Sequence, residues 1–121
     1  MSVMTAFNEL GGIPSTANRF LLQQILRDEW GFTGIVVSDY ASINELIAHG
    51  FAADEAEAAR LALEAGVDID MQGGVYRQHL NTLVAQGWVS EARINTAVKR
   101  MLARFMRRLL SYQVGNIPKG T

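Results

Sequence analysis

Cysteine is absent from all 121 residues, which excludes disulfides, thiolate metal sites and a cysteine nucleophile. Proline occurs only twice, and 19% charged residues stand beside 49% hydrophobic ones, a balance that excludes a disordered or low-complexity chain. The apolar runs are a few residues long, too short to span a bilayer. The first ten residues lack a basic stretch followed by an apolar one, so no signal peptide is read there and a cytoplasmic location is expected. Eleven Lys and Arg against twelve Asp and Glu leave a net charge of −1, which gives no basis for global nucleic-acid or membrane-surface binding. His-Glu-x-x-His, Gly-x-Ser-x-Gly and phosphate-loop patterns are missing, and no cofactor or metal is expected.

What is present is unevenly placed. Residues 28–70 carry ten acids and one base, Arg60, whereas residues 93–121 carry seven bases and no acid. Such blocks are ordinarily solvated helix faces. The alternative is that the basic C-terminal helix docks on an acidic surface, in the same chain or another.

Periodicity and punctuation give the order β-α-β-α-α-β-α-α. Residues 2–8 read as a strand, Gly11 to Pro14 as a loop, and Asn18 as the N-cap of a helix through about Trp30, closed by Gly31. Residues 34–39 are β-branched and apolar on both faces, as a buried parallel strand requires. Ser42 with Glu45, and Asp54 with Glu57, read as capping boxes for two helices ended by Gly50 and Gly66. Residues 67–71 form a third strand. A helix from about Tyr76 stops at Gly87, and Ser90 caps a last one with Ile94, Val98, Met101, Phe105 and Leu109 at helical spacing. The domain is expected over residues 1–110, with an unstructured tail over 111–121. Trp30 and Trp88 are expected as core anchors.

Alternating strands and helices imply an α/β class with parallel pairing and right-handed crossovers. Three parallel strands leave edges or a face uncovered, so the chain reads as part of a barrel or sheet completed by something else. Active groups in such folds collect at the carboxyl ends of strands. Asn8, Asp39 and Asp70 lie there. Asp39, after Ile35-Val36-Val37, is the prime candidate, as nucleophile or general base; the competing reading makes it the cap of the next helix. It is expected at the carboxyl end of the middle strand, on the would-be barrel interior. Asp68 and Asp70 alternate with Val67 and Ile69, which suits a strand-end hydrogen-bonding role better than a metal pair. His49 suits a helix C-terminus, and His79 a surface position.

Val3-Met4-Thr5-Ala6-Phe7-Asn8, Leu26-Arg27-Asp28-Glu29-Trp30-Gly31-Phe32, the Gly34 to Tyr40 run with Val37-Ser38-Asp39, and Ala65-Gly66-Val67-Asp68-Ile69-Asp70-Met71 together resemble glycoside hydrolase family 3 over about residues 2–110. The resemblance implies a partial TIM-type barrel, the last part of an eight-stranded one. It implies a retaining β-glucosidase-like enzyme acting on O-glycosidic bonds. Asp39 matches the family's nucleophile, which forms a covalent glycosyl-enzyme. Met4 and Phe7 match positions lining the sugar pocket. Tyr40 matches a flanking aromatic position often held by Trp, and Phe7 stands where Tyr is frequent. The acid/base residue and the upstream sugar-gripping residues of the family have no counterpart here. The implied partner is a β-glycoside substrate. The alternatives are a non-catalytic fragment that survives by self-association, as a homodimer or higher homo-oligomer, and adventitious ester hydrolysis through Ser38, Ser42 or a histidine.

Overall fold

The structure, a computed structural model, describes residues 1–115. Strand β1 (Ser2–Met4) lies parallel to β4 (Ile35–Val37), with Val3 opposite Val36. Between them come a short hairpin, β2 (Glu9–Leu10) and β3 (Ile13–Pro14), a 3₁₀ turn (Ser15–Ala17) and a helix (Phe20–Glu29) wound with i→i+5 bonds. After β4 follow α1 (Glu45–Ala48), α2 (Glu55–Ala65), α3 (Val75–Ala85) and α4 (Glu91–Gly115). The chain is mixed α/β. No helix among the described residues is long and apolar enough to cross a membrane.

The expected Gly11–Pro14 loop is a tight hairpin. Gly11 and Gly12 both take positive φ, +62° and +79°, as a two-residue type I′ turn demands. Asn18 caps the first long helix, its Oδ1 accepting the Leu21 N–H at 3.1 Å. Asp54 Oδ1 accepts the Glu57 N–H at 2.8 Å, and Gly66 closes α2 in the left-handed region. Ser42 is a correction: its buried hydroxyl accepts a hydrogen bond from Thr16, and Asn44 precedes α1 instead.

The third strand is the main departure from the expected three-stranded sheet. Residues 67–71 run beside β4 but make one ladder bridge, Val37 with Ile69. At the preceding step, regular pairing would join the Val36 N–H to the Val67 carbonyl. Side chains occupy both groups. Val36 N–H donates to Asp68 Oδ2 at 2.9 Å, and the Tyr76 hydroxyl donates to the Val67 carbonyl at 2.8 Å. The segment nevertheless stays in line: Ser38 N–H bonds Ile69 O, and Ala41 N–H bonds Met71 O, each at 2.9 Å. The sheet order is therefore β1, β4, then residues 67–71, with β4 central.

Period-2 alternation sorts the faces. Val36 and Ser38 are wholly buried under the helices, together with Leu22, Ile43, Leu46, Val67 and Val75. Ala58, Ala59 and Ala62 put a small-residue face of α2 at the centre of that core. Ile35 and Val37, with Met4 in register, point to the opposite, partly exposed face. Trp30 and Trp88, expected as anchors, are 73% and 65% exposed. The spacing in α4 is helical, but burial stops early. Ile94 and Ala97 pack on the core, whereas Val98, Met101, Phe105 and Leu109 are exposed. A 25-residue helix is about 37 Å long and outruns the body beneath it. The helix also continues to Gly115, past the expected start of a tail at Ser111; residues 116–121 lie outside the described residues.

Tyr76 carries a pH prediction. Burial, aided by Asp70 and Asp68, pushes its hydroxyl well above the ordinary value of about 10. The folded state thus keeps a proton that the unfolded chain loses, so stability is full below pH 10 and falls as pH rises above it. Tyr76→Phe is expected to lower stability near pH 7 by about 1 kcal/mol through the lost hydrogen bond. The same variant flattens the alkaline decline. Urea unfolding between pH 7 and 11 checks this; an unchanged alkaline slope would refute it.

Candidate active site

The carboxyl ends of β1, β4 and residues 67–71 converge on the turn that follows β4. A buried chain of hydroxyls ties the segments together. Thr16 Oγ1 donates to Ser42 Oγ at 3.0 Å and lies 2.9 Å from Thr5 Oγ1. With the Thr16 hydrogen committed to Ser42, Thr5 is the donor of the second bond. Thr5 N–H also bonds the Val37 carbonyl at 2.9 Å. On the other side, Ser38 Oγ accepts the Met71 N–H at 2.8 Å.

Asp39 sits in this frame, two residues beyond β4 and in step with Ile35 and Val37. Its carbonyl accepts the Ser42 N–H at 3.0 Å, which closes a turn. Within that turn Ala41 holds a positive φ of +53°, a strained conformation for a residue with a Cβ. The Asp39 side chain is half-buried, and Oδ1 accepts the Tyr40 N–H at 2.7 Å. That N–H is the one donor which the described residues supply to this carboxylate. The local bonding does not make Asp39 a helix cap: α1 begins at Glu45, six residues on. A carboxylate with a fixed backbone and one unengaged oxygen is suited to nucleophilic attack.

Of the other candidates, Met4 is exposed on the face shared with Val37, and Phe7 is exposed beyond the end of β1. Tyr40 reaches Asp39 through its backbone N–H, while its ring is 64% exposed. Asn8 serves the hairpin: its carbonyl accepts both the N–H and the hydroxyl of Ser15. Asp70 braces the loop after the third segment. Its Oδ2 accepts the Tyr76 N–H at 3.2 Å. Its Oδ1 and that of Asn44 are buried without a donor among the described residues, and both crowd the place where a Cβ on Gly73 would stand. Gly73→Ala would therefore force the two oxygens apart, and we expect it to lower stability by about 1–3 kcal/mol, read from the urea midpoint. His49 pairs with Glu9 at 2.8 Å and His79 with Glu55 at 3.1 Å, and neither imidazole is bonded to Asp39. Among the described residues no group of three or more His, Asp and Glu could hold a metal ion.

The sequence reading missed the positioning set, namely Thr5, Thr16, Ser42 and Ala41. Neither spacing nor composition marks a hydroxyl chain whose members are 11 and 26 residues apart. It also missed the anchor below the site. Asp68 is occupied by Arg27, at 2.9 Å, and Arg100, at 2.9 Å, and so is no metal ligand. Burial first, and then the neighbouring Arg100, push the Arg27 pKa below its ordinary value, against the pull of Asp68.

Residues 1–104 match the family model described as the glycosyl hydrolase family 3 N terminal domain. The chain is 48% identical over 101 residues to a periplasmic beta-glucosidase of Salmonella typhimurium, a match that covers 84% of this chain and 13% of that protein. It is 38% identical over 110 residues to a probable exo-1,4-beta-xylosidase of Aspergillus flavus, covering 88% and 14%. Its fold resembles the crystal structure of a beta-glucosidase from Listeria innocua with a TM-score of 0.82 and 44% identity, over 84% of this chain and 14% of that one. The chain thus spans 13 to 14% of the length of these proteins.

Proposed function

The chain belongs to glycosyl hydrolase family 3, and from that premise we propose that it is the nucleophile-bearing segment of a retaining β-glycosidase, with Asp39 as the nucleophile. One observation carries the reading. At the carboxyl end of the central strand, on the sheet face opposite the helix-covered core, the half-buried Asp39 has a single donor on its carboxylate among the described residues, the adjacent Tyr40 N–H. The other oxygen would attack the anomeric carbon and displace the leaving-group oxygen, which takes a proton from an acid. Water would then cleave the glycosyl ester and return a proton to that same group.

The second carboxyl group, required about 5–5.5 Å from the first, comes from outside this chain. We read the partly exposed face carrying Met4, Val37 and Asp39 as part of a barrel interior, with Met4, Phe7 and Tyr40 beside the sugar. The substrate class is a β-linked glucoside or xyloside, in keeping with the names of the relatives. Ester hydrolysis finds less support, since the hydroxyls of Ser38 and Ser42 are buried and already bonded.

The test is covalent trapping. Residues 1–104 would replace the matching segment of the Listeria innocua enzyme, and the chimera would be treated with a 2-deoxy-2-fluoro-β-glucoside bearing an activated leaving group. One fluoroglycosyl adduct is expected, on the peptide containing Asp39. An adduct on any other carboxylate of a catalytically active chimera would overturn the assignment.

A further inference from the structure

The Asp39 carboxylate stands on a turn that does not hold its shape unaided. Ala41 keeps a φ of +53°, a conformation that a residue with a Cβ retains only where its surroundings over-determine it. Two clamps do so. The first joins the turn to residues 67–71. Ser38 N–H donates to the Ile69 carbonyl and Ala41 N–H to the Met71 carbonyl, both at 2.9 Å, while Ser38 Oγ accepts the Met71 N–H at 2.8 Å.

The second clamp is made of hydroxyls, and Thr16 is its middle member. Thr16 Oγ1 accepts from Thr5 at 2.9 Å and donates to Ser42 Oγ at 3.0 Å. Both ends of this chain are anchored. Thr5 N–H is bonded to the Val37 carbonyl at 2.9 Å, and Ser42 N–H to the Asp39 carbonyl at 3.0 Å. Thr16 itself lies in the Ser15–Ala17 turn, which is pinned where the Ser15 N–H and hydroxyl both donate to the Asn8 carbonyl, at 3.1 and 2.8 Å. Thr5, Thr16 and Ser42 are 4%, 2% and 3% exposed. By alternation with Val3 and Val36, Thr5 is on the helix-covered side of the sheet, opposite the face that carries Asp39. The hydroxyl chain is therefore out of reach of any molecule bound at Asp39. The Ser15–Ala17 turn packs on α2, a contact that an apolar side chain of the same shape would serve equally well. What the hydroxyl adds is a fixed distance between segments, since paired buried hydroxyls rigidify what they join.

We propose that Thr16 is a positioning residue for Asp39: through Ser42 its hydroxyl holds the strained turn at Ala41 and so aims the carboxylate at the anomeric carbon. The proposal rests on Asp39 as the nucleophile. Attack needs the reacting atoms about 3–3.5 Å apart and aligned, and a displacement of about 1 Å can cost about 10²-fold in rate. Loss of the clamp thus falls on the rate of attack rather than on sugar binding, to which Thr16 contributes no contact.

The experiment uses the chimera described above. Thr16→Val keeps the shape and removes both bonds, and Thr16→Ser keeps the hydroxyl. Each is made with and without Ala41→Gly, because glycine takes positive φ without strain. Circular dichroism and the urea midpoint verify folding under the assay conditions. Thr16→Val is expected to slow trapping by the fluoroglucoside, and kcat on an aryl β-glucoside, by about 10- to 100-fold, with KM changed by less than about threefold. Thr16→Ser is expected to restore the rate to within about threefold. In the Ala41→Gly background the cost of Thr16→Val is expected to shrink at least threefold, a coupling that a merely structural role would not produce. Ser42→Ala, which keeps the N–H bond to Asp39 but removes the Thr16 acceptor, carries the same expectation should Thr16→Val fail to fold. Trapping of Asp39 at an undiminished rate, a change confined to KM, or an equal loss with Ala41 and with Gly at that position would each overturn the role of Thr16 and leave Asp39 as the nucleophile. An adduct on another carboxylate would instead remove the reading on which the proposal rests.

Discussion

Asp39→Asn, introduced into the chimera completed by the Listeria innocua enzyme, is expected to reduce turnover of an aryl β-glucoside by roughly 10⁴-fold or more. Asn is isosteric, and its side-chain oxygen can still accept the Tyr40 N–H that Oδ1 accepts at 2.7 Å. The turn, the Ala41 strain and the hydroxyl chain should therefore persist, and the loss would be that of the attacking oxygen alone. KM should change far less than kcat, because no recognition group is removed. With Asp39→Gly, added azide can take the place of the carboxylate. It would attack the anomeric carbon, expel the phenolate and leave an α-glycosyl azide. The unaltered 121-residue chain is expected to show little or no turnover, because the proton transfer worth about 10²–10⁴-fold has no second carboxyl group to perform it. A chimera whose kcat survives Asp39→Asn within tenfold would remove Asp39 from the chemistry. Robust hydrolysis by the isolated chain, abolished by the same change, would show that it carries its own acid.

The position of Asp39 was legible because it depends on local signals. A β-branched run flanked by Gly34 and a polar end specifies a buried strand, and the carboxyl end of that strand is where a site belongs. Capping residues were legible for the same reason at Asn18, Asp54 and Ser90, where the side chain needs only the next turn of its own helix. Ser42 failed that rule because a partner 26 residues away outcompeted the local cap. The third strand was misjudged in a similar way. Its alternation is right, but the Asp68 carboxylate and the Tyr76 hydroxyl displaced a backbone pairing, and strand propensity contains no term for such competition. The burial of α4, Trp30 and Trp88 was misjudged because apolar periodicity reports which face wants cover. It does not report whether the same chain supplies it.

Asp68→Ala is expected to cost about 3–5 kcal/mol, a large part of the roughly 5–15 kcal/mol that holds an ordinary domain together. The Asp68 side chain is 1% exposed and accepts from Arg27 Nη2, Arg100 Nη1 and the Val36 N–H, each at 2.9 Å. It therefore joins the Phe20–Glu29 helix, α4 and the central strand at one point. Removing it strands the buried Arg27 guanidinium beside Arg100 with no counter-charge, in surroundings that already depress its proton affinity. The Val36 N–H loses its acceptor as well, and an unsatisfied buried donor alone costs about 1–3 kcal/mol. The partners are unequal. Arg100→Met should cost only about 1 kcal/mol, since its side chain is the more exposed of the two and Arg27 still neutralises Asp68. Asp68→Leu combined with Arg27→Met should recover much of the loss, because an apolar pair removes both buried charges together. Urea unfolding at pH 7 of the wild type and these three variants gives the order directly. An Asp68→Ala protein within 1 kcal/mol of the wild type would mean that water reaches Arg27 and that this ion cluster does not hold β4 in place beneath Asp39.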